Sequence, residues 1–209
     1  MRLLSFPETQ KLLEKYSLPL VPTVATYSSA ELYTAFASMK KPVVVKPSGP
    51  SVLHKTEKGL VFLNLSQKEQ LEQAVKAISA GAGSGFQFLM QQQLSGAELI
   101  IGGKRDPSFG PVVLFGTGGI YAELLDDVSV RVTPLSERDA REMIFETKAR
   151  KFVEGFRSRK MNEKGMVELL LKTSELMQKE ESVKELDFNP VIASEKDAFI
   201  VDARVLVEK

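Results

Sequence analysis

A lysine ends the β-branched run Pro42-Val43-Val44-Val45-Lys46, the sole histidine, His54, follows it, and Asn189 and Asp202 stand near the far end in ELDFNP and VDAR. Between them lie Glu98, in GAELIIGG, and the run Gly116-Thr117-Gly118-Gly119 after VVLF. A lysine on a strand reaches nucleotide phosphates as a point charge. The side-chain oxygens of Asn189 and Asp202 are hard ligands that suit magnesium. Four small residues after a hydrophobic strand let backbone N–H groups approach an anion. An exposed histidine outside any triad can still attack phosphorus, which needs a neutral ring nitrogen and mobility. Each feature also has an ordinary reading: a surface lysine, a plain turn at Asn189-Pro190, a satisfied polar residue at Asp202, a tight glycine turn, a solvated loop histidine. Taken singly, the residues leave both readings open.

Composition narrows the field. The 209 residues carry 28 Lys plus Arg against 27 Asp plus Glu, so no net field draws the chain to nucleic acid or an acidic membrane. With no Cys and one His, disulfides, thiolate nucleophiles and Cys- or multi-His metal sites are excluded. No apolar run approaches the roughly 20 residues that span a bilayer, and the N-terminus turns charged too soon for a signal peptide, so a cytoplasmic protein is expected. GAGSGF fails as a dinucleotide fingerprint, because residue 86 is Phe and the tract follows a helix. Gly103-Lys104-Arg105 fails as a P-loop, which needs Ser or Thr after the lysine. No strand-turn-helix nucleophile elbow accompanies His54. Lys148 to Lys164 holds seven basic and two acidic residues, but Phe152 and Phe156 at helical spacing read as buried packing, and a phosphate or partner subunit explains the charge without nucleic acid.

The elements that must position these residues follow from periodicity. Helices are expected at 7–16, 29–39, around 71–78, at 136–148 and at 163–179, where Met166, Leu169, Leu170, Thr173, Leu176 and Met177 form one face. Strands are expected at 43–45, 60–65, 86–91, 97–103, 111–115 and 128–133, with 183–188 and 198–202 closing the chain as half-buried strands joined by a turn. The segment from Pro47 to Gly59 is a long loop, and AGAGSG at 80–85 is the expected subdomain boundary. Consecutive strands with few helices between them favour α+β layers with antiparallel pairing.

Three blocks together carry a resemblance: PVVVKPSGPSVLHKTEKG, MQQQLSGAELIIGGKRDPSFGPVVLFGTGGIYAELLDDVSVRVTPL and ELDFNPVIASEKDAFIVDAR. From about Leu18 to Arg204 the chain closely resembles the β subunit of ADP-forming (NDP-forming) acetyl-CoA synthetase, of the ATP-grasp superfamily and related to succinyl-CoA synthetase. The resemblance implies an ATP-grasp fold in which two α/β subdomains clamp a nucleotide. The expected division is a lead-in at 1–20, an N-terminal subdomain at 21–85 with the histidine loop at 47–60, and a C-terminal subdomain at 86–209. It further implies that Lys46, Gln91, Glu98 and Arg131 bind nucleotide, with Gln91 beside adenine, that Asn189 and Asp202 hold magnesium, and that His54 is a phosphohistidine carrier.

The implied reaction is acyl-CoA + ADP + phosphate giving acid + CoA + ATP, with ADP and ATP as substrate nucleotides. The implied partner is an α subunit that carries the CoA and acid sites and its own phosphohistidine, in an α2β2 heterotetramer without nucleic acid or membrane. Two other readings are a succinate- or citrate-type CoA ligase β chain and a non-catalytic nucleotide-sensing module. The sequence departs from the family pattern in places. HKTEKGLV stands for a loop close to HKSDVGGV, so that Glu57 replaces Asp and Leu60 replaces Gly. Thr117 stands where a small apolar residue is frequent, and Ser158 where Gly is common.

Overall fold

Arg105 shows how the larger part of the chain is tied together. Its Nε donates to the carbonyl of Val183 at 2.9 Å, and Nη2 donates to those of Met177 and Glu180 at 2.6 and 2.8 Å. Carbonyls at a helix C-terminus lack intrahelical donors and carry partial negative charge, so a guanidinium there satisfies both needs. The computed structural model describes residues 1–49, 52, 58–118, 127–156 and 160–208.

Among the described residues the chain forms two units, Val21–Leu94 and Met1–Leu20 with Ser95–Lys209. The larger unit has the strands β1 (Arg2–Leu3), β6 (Ala97–Asp106), β7 (Gly110–Thr117), β8 (Val128–Val132), β9 (Val183–Ala193), β10 (Ala198–Ile200) and β11 (Ala203–Val207). They pair antiparallel in the order β1-β11-β9-β6-β7-β8, with β10 on β9. The helices are α1 (Phe6–Lys15), α4 (Glu137–Glu146), α5 (Arg150–Glu154) and α6 (Glu163–Lys179). The pleat sends Leu99, Ile101, Val113 and Phe115 into one core with Met143 and Ile144 of α4 and Met166, Leu170 and Met177 of α6, all fully buried.

Helix α6 forms where the periodic apolar face meets proper ends. Asn162 accepts the Gly165 N–H at 3.2 Å, Glu163 sits in the first turn and Lys179 in the last, and Glu168–Lys172 and Glu175–Lys179 pair along the exposed side. Helix α1 docks beside its C-terminal end, where Lys15 Nζ and Tyr16 Oη share Glu180 at 2.5 and 2.8 Å. Burial, then this carboxylate, push the Tyr16 phenol up to about 12, so it stays a donor at neutral pH.

The smaller unit holds β2 (Thr23–Thr26), β3 (Val43–Ser48), β4 (Phe62–Leu65) and β5 (Gln87–Gln92), ordered β2-β5-β3-β4 and antiparallel throughout. Helices α2 (Ser29–Ser38) and α3 (Lys68–Gly81) bury Leu32, Phe36, Leu71, Val75 and Ile78 against Val43, Val45, Phe88 and Met90. None of the described helices is long and apolar enough to cross a membrane.

The α+β layering and antiparallel pairing agree with expectation, and four details differ. The division falls after Leu94 instead of after 85, because β5 pairs with both β2 and β3 and so cannot leave the smaller sheet. Residues 1–20 are not a separate lead-in, since β1 pairs with β11 and Leu13, Tyr16 and Leu18 join the larger core. The closing strand runs to Ala193 straight through Asn189-Pro190, where a turn was one reading, while Asp202 lies in a break between β10 and β11. Phe156 is exposed with Lys151 over its ring, so only Phe152 packs on the core.

Arg105→Met keeps the stem of the side chain and removes the three hydrogen bonds to carbonyls. Urea denaturation is expected to register a loss of about 2–3 kcal/mol, since these charge-assisted bonds are lost while the Glu180 carbonyl keeps only the Val183 N–H at 3.0 Å.

Candidate functional site

In the smaller unit Lys46 and Gln91 lie on adjacent strands. The register pairs Lys46 with Leu89 and Val44 with Gln91, so both side chains stand on the face turned away from α2 and α3. Lys46 is 3% exposed and Gln91 1%. An ammonium group that far from water is costly unless anionic or acceptor oxygens face it. Gln91 is oriented by a relay: its Nε2 donates to Thr23 Oγ1 at 3.0 Å, and that hydroxyl donates to the Val21 carbonyl at 2.7 Å. Thr23 has one proton and gives it to Val21, so the Gln91 amide must present its NH2 end there.

In the larger unit the outer face of the sheet, opposite the helices, carries Glu98 on β6 and Asn189 on β9. Their neighbours Leu99 and Phe188 are fully buried, which turns both polar residues outward. The Asn189 N–H donates to the Asp202 carbonyl at 3.1 Å and the Val201 N–H to that of Pro190 at 3.0 Å. These bonds bring Asn189 and Asp202 side by side from two segments.

Asp187, which the sequence reading passed over, belongs to the same group. It sits two residues before Asn189 on the same face and opposite Arg204. Burial holds its carboxyl above the usual carboxylate range. Arg204 pulls it down, while Asp202 and Glu185 push it up. The period-two spacing from Asn189 was the available signal.

One carboxylate and one amide oxygen, with further acidic charge nearby, fit magnesium. That ion commonly takes one or two protein oxygens and completes its shell with water and phosphate. The described residues hold no group of three or more His, Cys, Asp or Glu able to cage a metal.

Arg131 does not join this group. Val113 lies opposite it in register and points into the core, so Arg131 stands on the helix-side face, away from Glu98 and Asn189. Its guanidinium is committed to Glu146 at 2.5 Å and to Ser129 at 3.1 Å, and Ser129 Oγ in turn donates to Glu146 at 2.6 Å. These hydrogen bonds, from Ser129 first and Arg131 next, hold the Glu146 carboxyl below its usual range. His54 lies outside the described residues.

The ATP-grasp domain model matches residues 1–207. The β subunit of acetate–CoA ligase [ADP-forming] I from Pyrococcus furiosus is 35% identical over 209 aligned residues, spanning 96% of this chain and 90% of that one. Acetate–CoA ligase [ADP-forming] II of Archaeoglobus fulgidus is also 35% identical over 96% of this chain, but the chain spans 30% of that protein's length. Dinucleotide forming acetyl-coenzyme A synthetase 1 of Ca. Korarchaeum cryptofilum, solved with coenzyme A and Ca-AMPCP, superposes with a TM-score of 0.90 at 34% identity. The match covers 99% of this chain and 94% of that one.

If Arg131 is a structural partner of Glu146, a double-mutant cycle with Arg131→Met and Glu146→Gln should return a coupling of about 0.5–1 kcal/mol in thermal unfolding, modest because the pair is partly solvated. Additive losses would show that the two do not act as a pair.

Proposed function

The chain belongs to the ATP-grasp domain family, and on that premise we propose that it is the nucleotide-binding β subunit of an ADP-forming acyl-CoA synthetase of the acetate–CoA ligase type. The carrying observation is the extent of the likeness to a named β subunit, 90% of whose length this chain matches, together with a hard-oxygen pair at Asn189 and Asp202. The partner is an α subunit, in an α2β2 assembly, that holds the CoA and acid sites. In the Archaeoglobus relative, of which this chain spans 30%, the remaining length lies in the same polypeptide.

The roles follow from chemistry. Lys46 neutralises phosphate oxygens, and its burial keeps the charge from being screened by water. Gln91, oriented through Thr23, faces the base, and Glu98 contributes to nucleotide binding. Asn189 and Asp202 hold magnesium, which when bound neutralises charge on the phosphates. His54 carries the phosphoryl group: its bond from nitrogen to phosphorus breaks as a bond forms from phosphorus to the terminal phosphate oxygen of ADP, and neutral imidazole is left behind. Holding the group as a phosphohistidine avoids the hydrolysis that a free acyl phosphate would suffer while diffusing between centres. Phosphoryl transfer asks a protein mainly for alignment and charge neutralisation, which these side chains supply.

Lys46→Ala is expected to weaken ADP binding by about tenfold or more in calorimetric titrations, and Asp202→Asn to raise the magnesium needed for half-saturation. Unchanged titrations for both would sink the nucleotide reading. With the α partner, acetyl-CoA and phosphate but no ADP, the chain should acquire an acid-labile, base-stable phosphoryl group. His54→Ala should abolish that label and turnover while leaving ADP affinity nearly intact. Turnover near wild type in this variant would mean that the phosphoryl group bypasses His54.

A further inference from the structure

Where the backbone ladder between β7 and β8 ends, at the pair Gly116 and Val128, side chains continue it. Thr117 Oγ1 donates to Asp127 Oδ2 at 2.6 Å. The same carboxylate accepts the backbone N–H of Lys148, just past α4, at 2.9 Å on Oδ1 and 3.1 Å on Oδ2. Asp127 therefore joins the end of β7 to the end of a helix. On the other side of Thr117, the Gly118 N–H donates to the Glu98 carbonyl at 2.8 Å. A Cβ at Gly118 would lie 3.0 Å from the Glu98 carbonyl carbon and the Leu99 nitrogen, so this approach tolerates little beyond glycine.

Glu98 is exposed, and its carboxylate makes no hydrogen bond or ion pair among the described residues. Its position is thus set by its backbone, held by β9 on one side and by Gly118 on the other. We propose that Asp127 and Thr117 form a positioning clasp that fixes Glu98 for nucleotide binding. This rests on the nucleotide reading above. Asp127 and Thr117 act through Glu98 and do not themselves touch the nucleotide.

The test is magnesium-dependent ADP titration of the full chain well below its unfolding temperature. Thr117→Val and Asp127→Asn should each weaken ADP binding by about tenfold, whereas Thr117→Ser, which keeps the hydroxyl, should stay within about twofold of wild type. In a Glu98→Gln background Asp127→Asn should add no further loss, because the residue it positions is already gone. A purely structural role would lower the unfolding temperature without this pattern. Losses that multiply in the double variant, or no loss in either clasp variant, overturn the proposal.

Lys46→Ala separates the two levels. If it weakens ADP binding and the clasp variants do not, the clasp alone fails; if neither it nor Glu98→Gln has an effect, the nucleotide reading fails and takes the clasp with it. Should Asp127→Asn not fold, the contrast between Thr117→Val and Thr117→Ser decides by itself.

Discussion

The outer face of the larger sheet depends on the register of β6 against β9. Leu99 opposite Val191 and Gly103 opposite Leu186 place the apolar set against α4 and α6. The same pairing turns Glu98, Asp187 and Asn189 to the other side. Side chains alternate along a strand, so a slip of one residue would bury those three and expose Phe188. Arg105 reinforces the choice at the far end of β6, since its three carbonyl partners lie at the end of α6, in the segment that follows it and at the start of β9. Stability and the presentation of polar oxygens are here two results of one alignment.

The smaller unit solves a different problem. Its helices cover one face with aliphatic and aromatic residues, while Lys46, Gln87 and Gln91 are nearly sealed from water on the other. A sheet optimised only for stability would carry valine there, because desolvating an ammonium group costs several kcal/mol unless oxygens compensate. Thr23, at the start of the short strand β2, is there to orient an amide and not to fill a core.

Much of this was legible in the residues. The face of α6 and the valine run of β3 each announce themselves by period or type. What escaped required knowledge of partners. Thr23–Thr26 is too short and mixed to signal a strand, yet it pairs along its whole length with β5. Pro190 reads as a turn because it lacks an N–H, but its carbonyl serves Val201 and the strand continues. The resemblance implied a nucleotide-binding role for Arg131 without saying which face of the sheet it occupies. Only its register opposite Val113 reveals that it faces α4. Nor can a hydrophobic run say which sheet it will join, which is why the boundary moved from the glycine tract to the far side of β5.

The pairing of β1 with β11 has a further consequence, for the order in which the chain can fold. Residues 21–94 form a continuous stretch with its own core, so this unit can assemble as soon as it has left the ribosome. The larger unit has no such freedom. Strand β11 lies between β1 and β9 in the sheet but follows both in the chain, so β1 must wait for residues 203–207 before its edge can close. Until then the apolar residues of α1 lack much of their final cover. Apolar surface left open in that interval is the kind that favours aggregation.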